Sequence, residues 1–236
     1  MYKIQYLYYA DTDHAPYGPK PKEEVREYVF KAIEFLVNEG AQIIVIACNT
    51  ATSIAVSELR QKYSIPIIGM EPAVKPAIES VENSTKRVLV TATPLTLKEE
   101  KLKQLIQRLD KHHQTDLLPL PDLVRFAESY EFSDEAILPY LKQCLQSFDI
   151  SEYGAVVLGC THFPLFAHHF EKIFSSEVRL IDGSSGTVSH LEKLILAQKV
   201  EPCFNASLTF YRSSKKLESS QEIEPFTKIL KQLKAI

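Results

Sequence analysis

Two short segments of this 236-residue chain share one chemical plan. Gln42 to Ala47, QIIVIA, is a nearly continuous apolar run that ends at Cys48, with Asn49 and Thr50 after it. Gly154 to Leu158, GAVVL, ends at Gly159-Cys160, with Thr161 and His162 after it. An apolar run of this length reads as a buried strand, and the residues after each cysteine read as a helix. Residues just past the carboxyl end of a parallel strand lie where open α/β sheets bind ligands. A helix start adds partial positive charge and free N–H groups, which favour a thiolate or a bound carboxylate. A thiol with its ordinary pKa is only about 3% ionised at pH 7, and such surroundings raise that fraction. The competing reading is two buried, inert cysteines. Two matched strand-end contexts, each with Asn or Thr beside the sulfur, favour chemistry.

The elements that must position these cysteines alternate in kind. Strands are predicted over Ile4 to Tyr9, Gln42 to Ala47, Ile65 to Gly69, Arg87 to Thr91, Tyr153 to Leu158, Val178 to Asp182 and Ser207 to Arg212. Helices are predicted over Lys22 to Glu39, Thr52 to Tyr63, Ala73 to Val81, Leu97 to Lys111 and Asp134 to Phe148, then from Cys160 to Phe174 and near the end of the chain. This order implies an α/β fold with mainly parallel sheets flanked by helices. The repeated strand–cysteine–helix plan suggests two similar halves facing each other.

Composition removes several alternatives. The chain is 45% hydrophobic and 24% charged with net charge −3, ordinary for a globular protein. No basic stripe marks a nucleic-acid surface, and no apolar run suits a membrane span. The four cysteines, Cys48, Cys144, Cys160 and Cys203, are too scattered for a disulfide framework or a zinc site, so a reduced, cytoplasmic setting is expected. Without a C-x-x-C motif, a redox dithiol is the weaker idea. Cys144 falls at helical spacing and reads as core, while Cys203 has no visible role. The histidines show no metal-ligand spacing; His112-His113 and His168-His169 read as surface. Asp11 and Asp13 read as turn formers.

The two cysteine segments, Ala47-Cys48-Asn49-Thr50-Ala51 and Gly159-Cys160-Thr161-His162-Phe163-Pro164-Leu165, resemble the paired signatures of glutamate racemases. Tyr9-Ala10-Asp11-Thr12 with Ala15-Pro16-Tyr17-Gly18, the threonines Thr93 and Thr96, Pro121 to Glu128, Asp182 and Phe210-Tyr211 are similar to further family segments. Either cysteine segment alone reaches only the wider aspartate/glutamate racemase superfamily. The resemblance implies a two-base reaction without pyridoxal phosphate or any other cofactor, and without metal. One thiolate removes the substrate's α-proton and a thiol opposite returns a proton. It assigns catalysis to Cys48 (D-enantiomer), Cys160 (L-enantiomer) and His162, which assists Cys160. It assigns substrate binding to Tyr17, Gly18, Asn49, Thr50, Thr93, Thr161 and Glu128. The implied substrate is glutamate, whose D-form feeds bacterial peptidoglycan, with no nucleic-acid or membrane partner; homodimerisation is compatible with it.

The resemblance also implies a discontinuous division, with residues 1–70 and 183–236 in one α/β domain, 71–182 in the other, and the site in the cleft between them. Glutamate racemases usually open with a strand and an Asp-Ser-Gly-x-Gly-Gly loop, which this sequence lacks. The first domain is therefore expected to be N-terminally incomplete. The strands around Ile4 and Ile43 are expected to close up or to leave unpaired backbone groups. The alternatives are a racemase for aspartate or another amino acid, and a catalytically impaired short form acting as a binding protein.

Overall fold

The computed structural model describes residues 4–197 and 206–234; Cys203 lies outside them. The elements in order are β1 Gln5–Ala10, α1 Lys22–Asn38, β2 Ile44–Ile46, α2 Asn49–Lys62, β3 Ile67–Gly69, α3 Val74–Val81, β4 Arg87–Ala92, α4 Pro94–Lys98, α5 Glu100–Leu109 and β5 Thr115–Pro119. They continue with α6 Pro121–Glu128, α7 Asp134–Leu145, β6 Tyr153–Leu158, α8 Ala167–Ile173, β7 Arg179–Ile181, α9 Ser184–Ala197, β8 Ser207–Arg212, β9 Lys215–Lys216 and α10 Ser220–Lys234. The α/β class with parallel pairing stands; only β8 and β9 pair antiparallel among the described residues. Among the described residues no helix is long and apolar enough to cross a membrane.

The largest sheet has the order β5-β4-β6-β7 and is wholly parallel. Its central strands are buried on both faces, as continuous apolar runs require. Val88, Val90 and Ala92 of β4, with Ala155 and Val157 of β6, pack on Val74, Ala77 and Val81 of α3 and Leu102 of α5. Leu89, Val156 and Leu158 point the other way, toward Leu123, Ile137, Leu141, Phe163, Phe166 and Phe170. Alternate side chains of one strand thus serve two cores. Each fully buried large apolar side chain contributes about 1.5–3 kcal/mol, so the carboxyl ends of β4 and β6 are held firmly.

The remaining strands behave differently. β2 pairs with β3, and β1 pairs with β8 from Gln5↔Ser207 to Ala10↔Arg212. β1 and β2 stay in separate sheets and do not close up. QIIVIA is buried on one face only: Ile44 and Ile46 point inward while Val45 is exposed. The expectation of burial on both faces is corrected there, because α1 and α2 join these residues in a single core. Val25, Val29 and Ile33 give α1 its buried stripe, and Gly40, at φ 87°, turns the chain after it.

Other boundaries also differ from the sequence reading. The helix predicted over Leu97 to Lys111 is two helices, because Glu99 is extended at φ −66°, ψ 131°. Strand β5 lies outside the predicted elements; it is an edge strand with only Leu118 buried, so its pattern is faint. Helix α9 lies outside them too, and none of its residues is buried. After Cys160 comes a 3-10 turn, Phe163–Phe166, before α8 begins at Ala167.

Candidate active site

Cys48 lies just beyond β2 and caps the start of α2. Its extended backbone, φ −143°, ψ 119°, lets the sulfur accept the Ala51 N–H at 3.4 Å. The thiol is nonetheless pushed up to about 11. Desolvation by the surrounding atoms is the chief cause, although the residue itself is only half-buried; the Ala51 and Thr50 N–H groups pull the other way, and Cys160 adds to the rise. The expectation that a helix start increases the ionised fraction is therefore outweighed at Cys48 by loss of hydration. Two thiols that feel each other also resist being ionised together.

Cys160 is buried beyond the end of β6. The strand leads into it through Gly159, whose N–H donates to the Thr91 carbonyl at 2.8 Å. A Cβ on Gly159 would sit 2.5 Å from that oxygen, so only glycine lets β6 meet β4 here. Phe163 N–H caps the Cys160 carbonyl at 2.9 Å. The Cys160 sulfur lies 3.8 Å from His162 Nδ1, and His162 Nε2 is 2.8 Å from Glu128 Oε1 at the end of α6. Burial opposes protonation of His162, but the Cys160 sulfur and the Glu128 carboxylate push it up to about 10. A positive imidazole is thus held between two acidic groups. Only a 3-10 turn follows Cys160, so the polar neighbour of its sulfur is His162 rather than the start of an α-helix.

Beside Cys48, at the start of α2, lies a ring of hydroxyls. Thr50 of α2 bonds Thr93 at 2.9 Å and Thr96 at 3.0 Å, and Thr93 bonds Thr96 at 3.0 Å. All three are buried. Thr93 also caps α4 by accepting the Thr96 N–H at 3.2 Å, so a Thr-Pro-x-Thr cap meets the first turn of α2. Gly18 packs on this ring: a Cβ there would be 3.2 Å from the Thr93 Cβ. Asn49 is buried, and its Oδ1 has no hydrogen-bond partner among the described residues. A buried acceptor left open costs about 1–3 kcal/mol and marks where a donor group would fit.

Tyr17 packs on the same core as Cys48. Its hydroxyl donates to Asp11 at 2.5 Å, and its pKa is raised, first by burial and then by that carboxylate. Asp11 also bonds His14 at 2.7 Å and accepts from Ser213 at 3.3 Å. Read from sequence as a turn former, Asp11 is the anchor of the Tyr17 loop. Thr161, next to Cys160, is half-buried and makes no side-chain hydrogen bond among the described residues. Thus Cys48 gathers Tyr17, Asn49 and Thr50, Cys160 gathers Thr161, His162 and Glu128, and the Thr93–Gly18 contact adjoins Thr50. Thr96 is an added member, signalled by its Thr-x-x-Thr spacing from Thr93.

Two expectations about other residues are sharpened. Cys144 is half-buried at the edge of the α7 core. The pair His168-His169 is not a surface pair: His169 is fully buried, its ring 5.9 Å from that of Phe166. Adjacent helical residues point about 100° apart, so α8 turns one histidine inward.

Residues 2–191 match the model of the Asp/Glu/Hydantoin racemase family. The chain belongs to that family. As one of its racemases the protein is an isomerase. It is 48% identical to glutamate racemase 2 of Bacillus subtilis, over 95% of this chain and 84% of that one. It is 49% identical to the glutamate racemase of Halothermothrix orenii, over 97% of this chain and 89% of the relative. Its fold is similar to Escherichia coli glutamate racemase in complex with L-glutamate and the activator UDP-MurNAc-Ala. That match has a TM-score of 0.76 and 26% identity, and covers 98% of this chain and 85% of the other.

Proposed function

We propose that the protein interconverts L- and D-glutamate by a two-cysteine, two-base reaction that needs no cofactor. The observation that carries this reading is the pair of strand-end thiols. They come from different sheets, lie near enough to raise Cys48 through Cys160, and one of them has a charged helper in His162. In the L-to-D direction the Cys160 thiolate, paired with the positive His162, takes the α-proton. Cys48, kept protonated by loss of hydration, gives its proton to the opposite face. The new α-C–H bond completes D-glutamate and leaves Cys48 as the thiolate and Cys160 as the thiol, the state from which D-glutamate returns to L.

The other residues hold the substrate during this exchange. Asn49 Oδ1 accepts from the substrate ammonium, which supplies its missing donor. When substrate binds, the hydroxyls of Thr50 and Thr93 turn out of their ring and, with that of Thr161, donate to carboxylate oxygens, since each hydroxyl has a single proton to give, and the N–H groups at the start of α2 favour the same negative charge. Tyr17 and Gly18 wall the cleft, and Glu128 keeps His162 charged. Charge that develops at the α-carbon and its carboxylate is met by donors already in place. Residues 1–70 with 183–236, and residues 71–182, form the two domains that supply one cysteine each. Supporting that division, the β5-β4-β6-β7 sheet falls wholly within the second range.

The relatives' names favour glutamate, and the D-enantiomer has its use in bacterial peptidoglycan. The test is purified protein with L-glutamate, then D-glutamate, without added cofactor, monitored by circular dichroism of the substrate. Both enantiomers are expected to relax to the racemate. Racemisation of aspartate in preference to glutamate would transfer the protein to the other substrate, and turnover that requires pyridoxal phosphate would overturn the mechanism.

A further inference from the structure

We infer that Asp134, His168 and His169 form a binding site for a divalent transition-metal ion of the zinc class, at the junction of α7 and α8 and apart from the two cysteines. Among the described residues this is the one grouping in which three ligand-bearing side chains converge, with their donor atoms all within 4.8 Å of one another. Asp134 is the first residue of α7, and the histidines are near the start of α8.

The independent observation is His169. Its side chain is wholly buried, and neither ring nitrogen makes a well-formed hydrogen bond among the described residues, although the Phe132 backbone carbonyl approaches the ring. A buried ring nitrogen left open forfeits about 1–3 kcal/mol, a cost that a metal bond would remove, and a carbonyl beside the other nitrogen is the usual companion of a metal-bound histidine. His169 Nε2 is 3.5 Å from Asp134 Oδ1, too far for a good hydrogen bond. It matches the edge of a tetrahedron: bonds of about 2.0–2.1 Å around zinc place neighbouring ligands about 3.3–3.4 Å apart. The His168 ring lies against it, with centroids 3.7 Å apart. His168 is half-buried and the Asp134 side chain is 44% exposed, so both can shift to close the 4.8 Å span while His169 stays fixed.

The chemistry of the set narrows the ion. Two imidazoles and one carboxylate suit zinc, cobalt or nickel and do not suit magnesium or calcium, which prefer oxygen alone. Lys172 holds the other carboxylate oxygen, Oδ2, at 2.5 Å. It orients Asp134 and leaves Oδ1 for the ion, while its charge weakens binding. Three protein ligands leave an open fourth position for water.

The test is titration of the full chain with Co²⁺, read by visible absorption and calorimetry. The expected result is one saturable site with nitrogen–oxygen d–d bands and no sulfur-to-metal charge-transfer band. Zn²⁺ should displace the ion and Mg²⁺ should not. Asp134→Asn and His168→Gln, both away from the deep core, should each weaken binding at least about tenfold, the loss that even outer-shell partners produce. Both should leave racemisation of metal-free protein unchanged. Absence of saturable binding overturns the inference. So does binding that the two substitutions leave intact, or a charge-transfer band that disappears when Cys48 or Cys160 is replaced, because the ion would then sit on the thiols.

Discussion

Glu128→Gln separates charge from shape at the Cys160 end of the site. The substitution is isosteric, and its amide oxygen still reaches His162 Nε2, which Glu128 Oε1 meets at 2.8 Å; only the negative charge is lost. A hydrogen bond between charged groups is worth about 1.5–3 kcal/mol. The Glu128 side chain is 40% exposed, so solvent screens the pair and about 1 kcal/mol is the reasonable share. That corresponds to about a fivefold fall in kcat/KM. The fall must be equal for L- and D-glutamate, because the equilibrium constant between enantiomers is fixed at unity. The sign of the pH effect comes from His162. Its folded pKa is raised to about 10, so the imidazolium and its pairing are present at neutral pH and are lost as pH rises through that value. Without Glu128 the basic limb of the kcat/KM profile should begin at lower pH, moving toward the ordinary value of about 6.5. The assay is initial-rate racemisation by circular dichroism from pH 6 to 10.5, roughly the span of those two values. Superimposable profiles and equal rates for wild type and variant would refute the relay from Glu128 through His162 to Cys160.

The same geometry sets other outcomes. Cys48→Ala and Cys160→Ala should each abolish racemisation with a cooperative melt retained, whereas Cys144→Ala should keep full turnover; full activity in either of the first two ends the two-base assignment. Thr96→Val removes one member of the hydroxyl ring and should cost about 1–2 kcal/mol of stability, seen in a denaturant midpoint, and should raise KM; an unchanged midpoint would mean the ring contributes nothing. Asp116, held below the usual carboxylate range chiefly by its two bonds from Arg87 and further by Tyr153, should stabilise the fold above about pH 4 and lose that contribution as pH falls through its lowered pKa. Asp116→Asn should therefore lower the melting temperature at pH 7 and flatten its fall below pH 4, roughly the unfolded value, and a parallel fall in both proteins would contradict this.

Much of the chemistry was legible in one dimension because it depends on local order. A strand that ends in Cys-Asn-Thr or Cys-Thr-His places the sulfur at the sheet edge whatever surrounds it. Helix periodicity in α1 and the unbroken apolar runs of β4 and β6 specified the α/β class and most of the elements. Periodicity faded where burial is slight: β5 keeps one inward residue, and α9 keeps none. The tertiary structure alone decided what lies across from what. Glu128 meets His162 only because α6 returns over the end of β6, and Thr50 joins Thr93 and Thr96 only because α2 abuts α4. It also decided that Val45 faces outward, that desolvation outweighs the helix start at Cys48, and that His169 is enclosed without a well-formed hydrogen bond among the described residues. Each of these depends on distances between segments far apart in the chain, and desolvation and Coulomb interaction track those distances rather than spacing along the sequence.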